Sequence, residues 1–121
     1  MKLTVTELYN LSDGLKNILD KELPTSVAFS IQRNFKKVGD ELTPSNEVRK
    51  NIIEKYKEKD NGDGSFNIKK DKVELCKKEV NELMEQEVDI DLKRIKLSDL
   101  GESIKPRTLG LLEPIIKEEE A

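Results

Sequence analysis

Apolar residues recur along this chain at helical intervals, separated by a few short alternating stretches. Thr4-Val5-Thr6-Glu7 has the spacing of a capping box, and Leu8, Leu11, Leu15, Ile18 and Leu19 then fall on one face. The pattern predicts a helix over residues 4–20. Gly14 lies inside it and weakens it by up to about 1 kcal/mol relative to Ala. Leu23-Pro24 ends it, because the residue before proline is pushed out of the α region. Pro24 then suits a first helical position. Val27, Ile31, Phe35, Val38 and Leu42 follow at spacings of 4, 4, 3 and 4, with Gly39 on the far face. Thr43-Pro44 has the form of an N-cap and first helical position. Yet Ile31, Val38, Ser45 and Ile52 keep one seven-residue phase across it. Residues 24–58 are therefore either one kinked helix or two nearly collinear ones.

Asp60-Asn61-Gly62-Asp63-Gly64-Ser65 is the strongest turn signal. Ser65-Phe66-Asn67-Ile68 alternates enough for one short strand. Asp71 is placed to cap a helix over 71–87, whose stripe is Val73, Cys76, Val80 and Leu83. Residues 44–58 and 71–87 thus predict an antiparallel helical hairpin, with Val80 and Leu83 facing Val48 and Ile52. Val88-Asp89-Ile90-Asp91-Leu92 alternates strictly, as a half-exposed strand does. Ile95 and Leu97 are out of phase with it, which predicts a bulge near Lys93-Arg94. Lys2-Leu3-Thr4 and Lys96-Leu97-Ser98 form a weak internal echo. Residues 106–116 predict a short helix disturbed by Pro114, followed by an acidic tail, 117–121, expected to fray. The expected fold class is α+β, mostly helical, in a single domain over 1–121: a helical hairpin with a small β element. The hairpin resembles prefoldin-like architecture, an analogy of shape that carries no function.

Composition narrows the chemistry more than it names it. Leu, Ile, Val and Phe make up 35 of 121 residues, enough for a thin core. Charged residues reach 39%, which favours long solvated helices. The absence of His excludes His-based nucleophilic and zinc sites. The lone Cys76 cannot form an internal disulfide, and it fits a reducing cytosol and core packing. No apolar run is long enough for a membrane span.

Candidate sites weaken on inspection. An EF-hand register with Gly64 at position 6 places Asn61 and Asp63 as ligands, but Lys59 and Lys70 fall where carboxylates are required. Asp89 and Asp91 share a strand face with no third ligand near. Arg33, Lys36, Lys37, Arg49, Lys50, Lys55 and Lys57 interleave with Asp40, Glu41, Glu47 and Glu54, a mixed-sign surface that argues against nucleic-acid binding. No catalytic, cofactor-binding or metal-ligating residue is assigned, and no cofactor is expected. The assigned partner-binding residue is Phe29, which lies off the Ile31/Phe35/Val38 line and is an exposed aromatic anchor in this reading. Packing of Phe29 under the first helix, against Leu15 or Ile18, is the other reading of the same spacing.

Lys21-Glu22-Leu23-Pro24 before the Phe35/Val38/Leu42 helix, Ile53-Glu54-Lys55-Tyr56, Asn81-Glu82-Leu83-Met84 and Glu87-Val88-Asp89-Ile90 carry a wider likeness. Through them the chain resembles a family of small proteins encoded by phages and prophages of Gram-positive bacteria, a domain of unknown function. Thr43-Pro44 departs from the uninterrupted helix of that pattern. The resemblance implies action in the cytoplasm of a bacterial host and transfers no active-site residue. The expectation is a non-enzymatic protein-interaction module that inhibits or modulates a host defence or housekeeping complex, with a host or phage protein, or a second copy, as partner. A virion structural or assembly protein and a nucleic-acid-binding accessory protein are the alternatives.

Overall fold

The computed structural model describes residues 1–101 and 103–117, except the side chain of Asp60. A strand, β1 (Lys2–Thr4), leads directly into helix α1 (Val5–Ile18). The capping box forms as the spacing requires. Glu7 N donates to Thr4 Oγ1 at 3.1 Å, and Thr4 N donates to Glu7 Oε1 at 3.0 Å. Leu8, Leu11 and Leu15 are completely buried. Each such side chain contributes about 1.5–3 kcal/mol of transfer free energy.

Helix α2 (Thr25–Tyr56) is a single element of 32 residues, about 48 Å long at 1.5 Å per residue. This decides between the two readings of residues 24–58. Pro44 lies inside the helix rather than at its start. Thr43 does not cap a new helix; its hydroxyl donates to Gly39 O, one turn earlier, at 3.2 Å. Proline removes one i→i−4 hydrogen bond, but the buried line Ile31, Val38, Ser45 continues through it. Packing on both sides holds the helix together where local preference would break it.

After α2 come β2 (Lys57–Asp60) and β3 (Phe66–Ile68), an antiparallel hairpin with a bulge between Lys57 and Lys59. The sequence pattern extends the helix over Lys57 and Glu58; they belong to the strand. Gly62 and Gly64 turn the chain at φ +82° and +91°, values that favour glycine. Helix α3 (Val73–Met84) starts later than the pattern predicts. Asp71 does not cap it: Lys70–Lys72 form a 3-10 turn, and Lys72 precedes the helix without a side-chain cap.

The chain returns to the body through β4 (Glu87–Asp89), antiparallel to β1 with Leu3 opposite Val88. The alternating stretch 88–92 is therefore not one strand with a bulge at 93–94. Strand pairing stops at Asp89, and β5 (Ile95–Lys96) belongs to another sheet, parallel to β6 (Ile116–Lys117). The echo between residues 2–4 and 96–98 has no structural counterpart, since Leu97–Leu100 form a 3-10 turn while Lys2–Thr4 are a strand. Helix α4 (Pro106–Leu111) opens on proline as the pattern suggests. Pro114 lies in the 3-10 turn Glu113–Ile115. Of the expected tail, Lys117 is paired in β6, and 118–121 lie outside the described residues.

The fold is thus mostly helical α+β. Its core joins α1, the first half of α2, Ile90, Leu92, Ile95, Leu100, Leu112 and Ile115. Gly14 has a use that propensity hides. It is buried where α1 meets α4, and a Cβ there would lie 2.9 Å from Leu111 Cβ and 3.0 Å from Leu112 Cδ2. The missing side chain lets the two helices approach.

Candidate functional site

Two surfaces stand out, one on a helical arm and one on the body. The core takes nothing from α2 beyond Leu42 and, from α3, only the half-buried Met84. Residues 43–83 therefore form a two-helix arm tipped by the β2–β3 hairpin. Among the described residues between Leu42 and Ile90, only Ser45, Tyr56 and Cys76 are buried. Cys76 is buried, as its stripe position predicts, but apart from the main core. At the base of the arm, the Tyr9 hydroxyl of α1 donates to Asn46 Oδ1. The Arg49 guanidinium stands 5.9 Å from the Tyr9 ring centre.

Lys55 and Glu79 join the arm's two helices, Nζ to Oε1 at 3.0 Å. The Tyr56 hydroxyl foremost, and the Lys55 ammonium after it, hold the Glu79 carboxyl below its ordinary value. Glu79 Oε2 is buried and has no hydrogen-bond partner among the described residues. The carboxylate in turn raises Lys55 and Tyr56. Val48 lies seven residues from Lys55 on one side of α2, and Leu75 four residues from Glu79 on one side of α3. The ion pair therefore sets Val48 and Leu75 on the same face. Both are 45% exposed. This corrects the expected inward placement of Val48. A two-helix layer covers one stripe per helix, and Val48 lies beside the Ser45/Ile52/Tyr56 line rather than on it. Val80, Leu83 and Ile52 are half-buried. On the arm's other flank, Phe66 closes a shallow groove with Ile53, Arg49 and Lys50.

Phe29, the residue singled out from the sequence, is 62% exposed on the first half of α2. It does not pack under α1. Arg33, one turn on, carries its guanidinium 5.7 Å from the ring centre, within reach of the π face. Phe29, Arg33 and Lys37 follow at i, i+4 and i+8, and they line a groove of about 370 Å³ against Asp91, Leu92 and Lys93. Lys37 Nζ donates to Asp91 O at 3.0 Å. The stretch around Lys93 is held by Asn34, which is buried beneath it. Sequence reasoning found Phe29 from its phase but missed the groove, because its second wall comes from residues about sixty positions away.

The remaining candidate residues have local roles. Asp63 accepts from Ser65 N at 3.0 Å and from the Ser65 hydroxyl, and Ser65 holds its carboxyl below the ordinary value. Asn61 donates to Ser65 Oγ at 3.0 Å. Both side chains thus serve the turn. Asp89 lies in β4 and Asp91 beyond it, so they do not share a strand. Among the described residues, no group of three or more Cys, Asp or Glu side chains could hold a metal ion. No described helix is long and apolar enough to cross a membrane. Comparison with protein-family models, curated proteins and solved structures returned no match.

Proposed function

We propose that this chain is a non-enzymatic protein-interaction module that binds its partner through the helical arm. The observation that carries the reading is the placement of Val48 and Leu75. Both lie on one face of an arm that adds almost nothing to the core, flanking the Lys55–Glu79 ion pair. Apolar groups with a charged pair between them suit a helix-on-helix contact, in which the side chains supply affinity and the charges fix register. The resemblance to phage and prophage proteins extends the reading. The module acts in the cytoplasm of a bacterial host, on a defence or housekeeping complex.

The test is affinity capture from lysates of infected and uninfected Gram-positive cells, using wild type and a Val48→Glu/Leu75→Glu variant of equal thermal stability. The reading requires a discrete protein retained by wild type and lost by the variant. Capture of nothing, or equal capture by both, overturns it. Sedimentation of the purified protein identifies a second copy as the occupant if wild type associates and the variant does not.

A further inference from the structure

We infer that the groove beside Phe29 is a docking site for an acidic peptide segment that carries an apolar side chain. The inference assumes the interaction-module reading but concerns a separate surface, on the body rather than the arm. Three cations, Arg33, Lys37 and Lys93, line the groove with a single carboxylate, Asp91. This local excess of positive charge lies on a chain whose net charge is −3. Two of the cations, Arg33 and Lys37, are held in place, and the third is anchored at its backbone. Arg33 lies over the Phe29 ring, Lys37 is tied to Asp91 O, and the backbone of Lys93 is fixed by Asn34 at 2.8 and 3.0 Å. A donor array fixed in advance loses less entropy when a carboxylate arrives.

The apolar component is equally specific. Phe29 is the most exposed large apolar residue described, and its ring is the apolar surface of the groove, since the facing Leu92 is buried in the core. Aromatic and arginine side chains are the groups that concentrate binding energy at interfaces. A single-stranded nucleic acid fits less well. Such sites use successive stacking aromatics along a basic track, whereas Phe29 is the only aromatic lining this groove. An acidic peptide with one leucine or phenylalanine among glutamates matches one exposed ring and three cations.

The experiment is fluorescence anisotropy with three labelled probes at low salt: a glutamate-rich peptide with one central leucine, its lysine-rich counterpart, and an oligothymidylate. The acidic peptide should bind, weaken as salt rises, and weaken at least about fivefold with Arg33→Gln, the scale of one lost close charge contact. Phe29→Ser should weaken the leucine peptide more than a version with alanine at that place. Both substituted side chains are exposed, so circular dichroism and melting should match wild type. No binding of the acidic peptide, binding that survives Arg33→Gln and Phe29→Ser, or equal binding of either other probe overturns the inference. The arm variant Val48→Glu/Leu75→Glu should bind the peptide as wild type does. A wild type that captures no protein, or captures it equally without the arm residues, yet still binds the peptide would thus count against the arm alone.

Discussion

Asn34 and Lys93 exchange two hydrogen bonds: Asn34 Nδ2 donates to Lys93 O at 2.8 Å, and Lys93 N donates to Asn34 Oδ1 at 3.0 Å. The carboxamide stands in for a strand partner. It satisfies both backbone groups of a residue that lies between β4 and β5 and belongs to neither. Asn34 is 1% exposed, so the exchange is shielded from water on its side and part-buried as a whole. Asn34→Ala should destabilise the fold by about 1–3 kcal/mol, since it leaves a shielded N–H and C=O unpaired. Denaturant unfolding measures this. A loss below about 0.5 kcal/mol would mean that the segment can turn those groups to solvent.

Gly14→Ala sets helix propensity against packing. Propensity alone favours Ala by about 1 kcal/mol. The added Cβ would meet Leu111 Cβ at 2.9 Å, an atom fixed to the backbone of α4. We expect a net destabilisation of about 1–3 kcal/mol, the usual cost of overpacking. Thermal melting at or above wild type would show that α4 can withdraw freely.

The Lys55–Glu79 pair should make the arm sensitive to acid and to strong base. The Glu79 carboxyl is depressed in the folded state, so its stabilisation is present above the ordinary value of 4.5 and is lost as the pH falls through the lower folded value. Lys55 is raised above 10.5, so its share is present below 10.5 and is lost as the pH rises through the folded value. Both groups are solvent-accessible, which keeps the effect modest. Asp63 is depressed in the same acid range, so a readout local to α3 is required. Protection factors of the α3 amides, which remove the intrinsic acid slowing of exchange, should fall below pH 4.5 in wild type and lose that pH dependence in Glu79→Gln. Identical profiles for the two proteins would remove the pair's role in joining the arm.

Burial separates the leucines into two groups. Leu15 is wholly buried in the core, and Leu15→Ala should cost about 2–5 kcal/mol. Leu75 is 45% exposed on the arm, and Leu75→Ser should stay within about 0.5 kcal/mol of wild type. Leu83, half-buried in the arm, should fall between them. Chemical denaturation of the three variants gives the order directly. A Leu75→Ser loss as large as that of Leu15→Ala would place Leu75 in a packed core instead of on an open face.

The sequence by itself determined the elements whose signals are local. The α1 stripe and its Thr4/Glu7 capping box, the turn at residues 60–65, the proline opening α4 and the mostly helical α+β class all rest on residues within a few positions of one another. The same reasoning set Phe29 off the Ile31/Phe35/Val38 line but left packing under α1 open, and the fold decided for exposure. Tertiary structure decided what depends on distant residues. Pro44 stays within α2 because packing on either side outweighs one lost hydrogen bond. Val48 faces outward because two helices cover only one stripe each. Gly14 reads as a weak point until α4 arrives from nearly one hundred residues away to occupy the space of its missing side chain. The alternation of residues 88–92 describes a strand, yet ladder pairing ends at Asp89, and the Asn34 carboxamide, 59 residues earlier, holds the Lys93 that follows the stretch. Periodicity records which face of a segment is apolar. The neighbour that covers that face, and whether any neighbour covers it, follows only once the chain has closed.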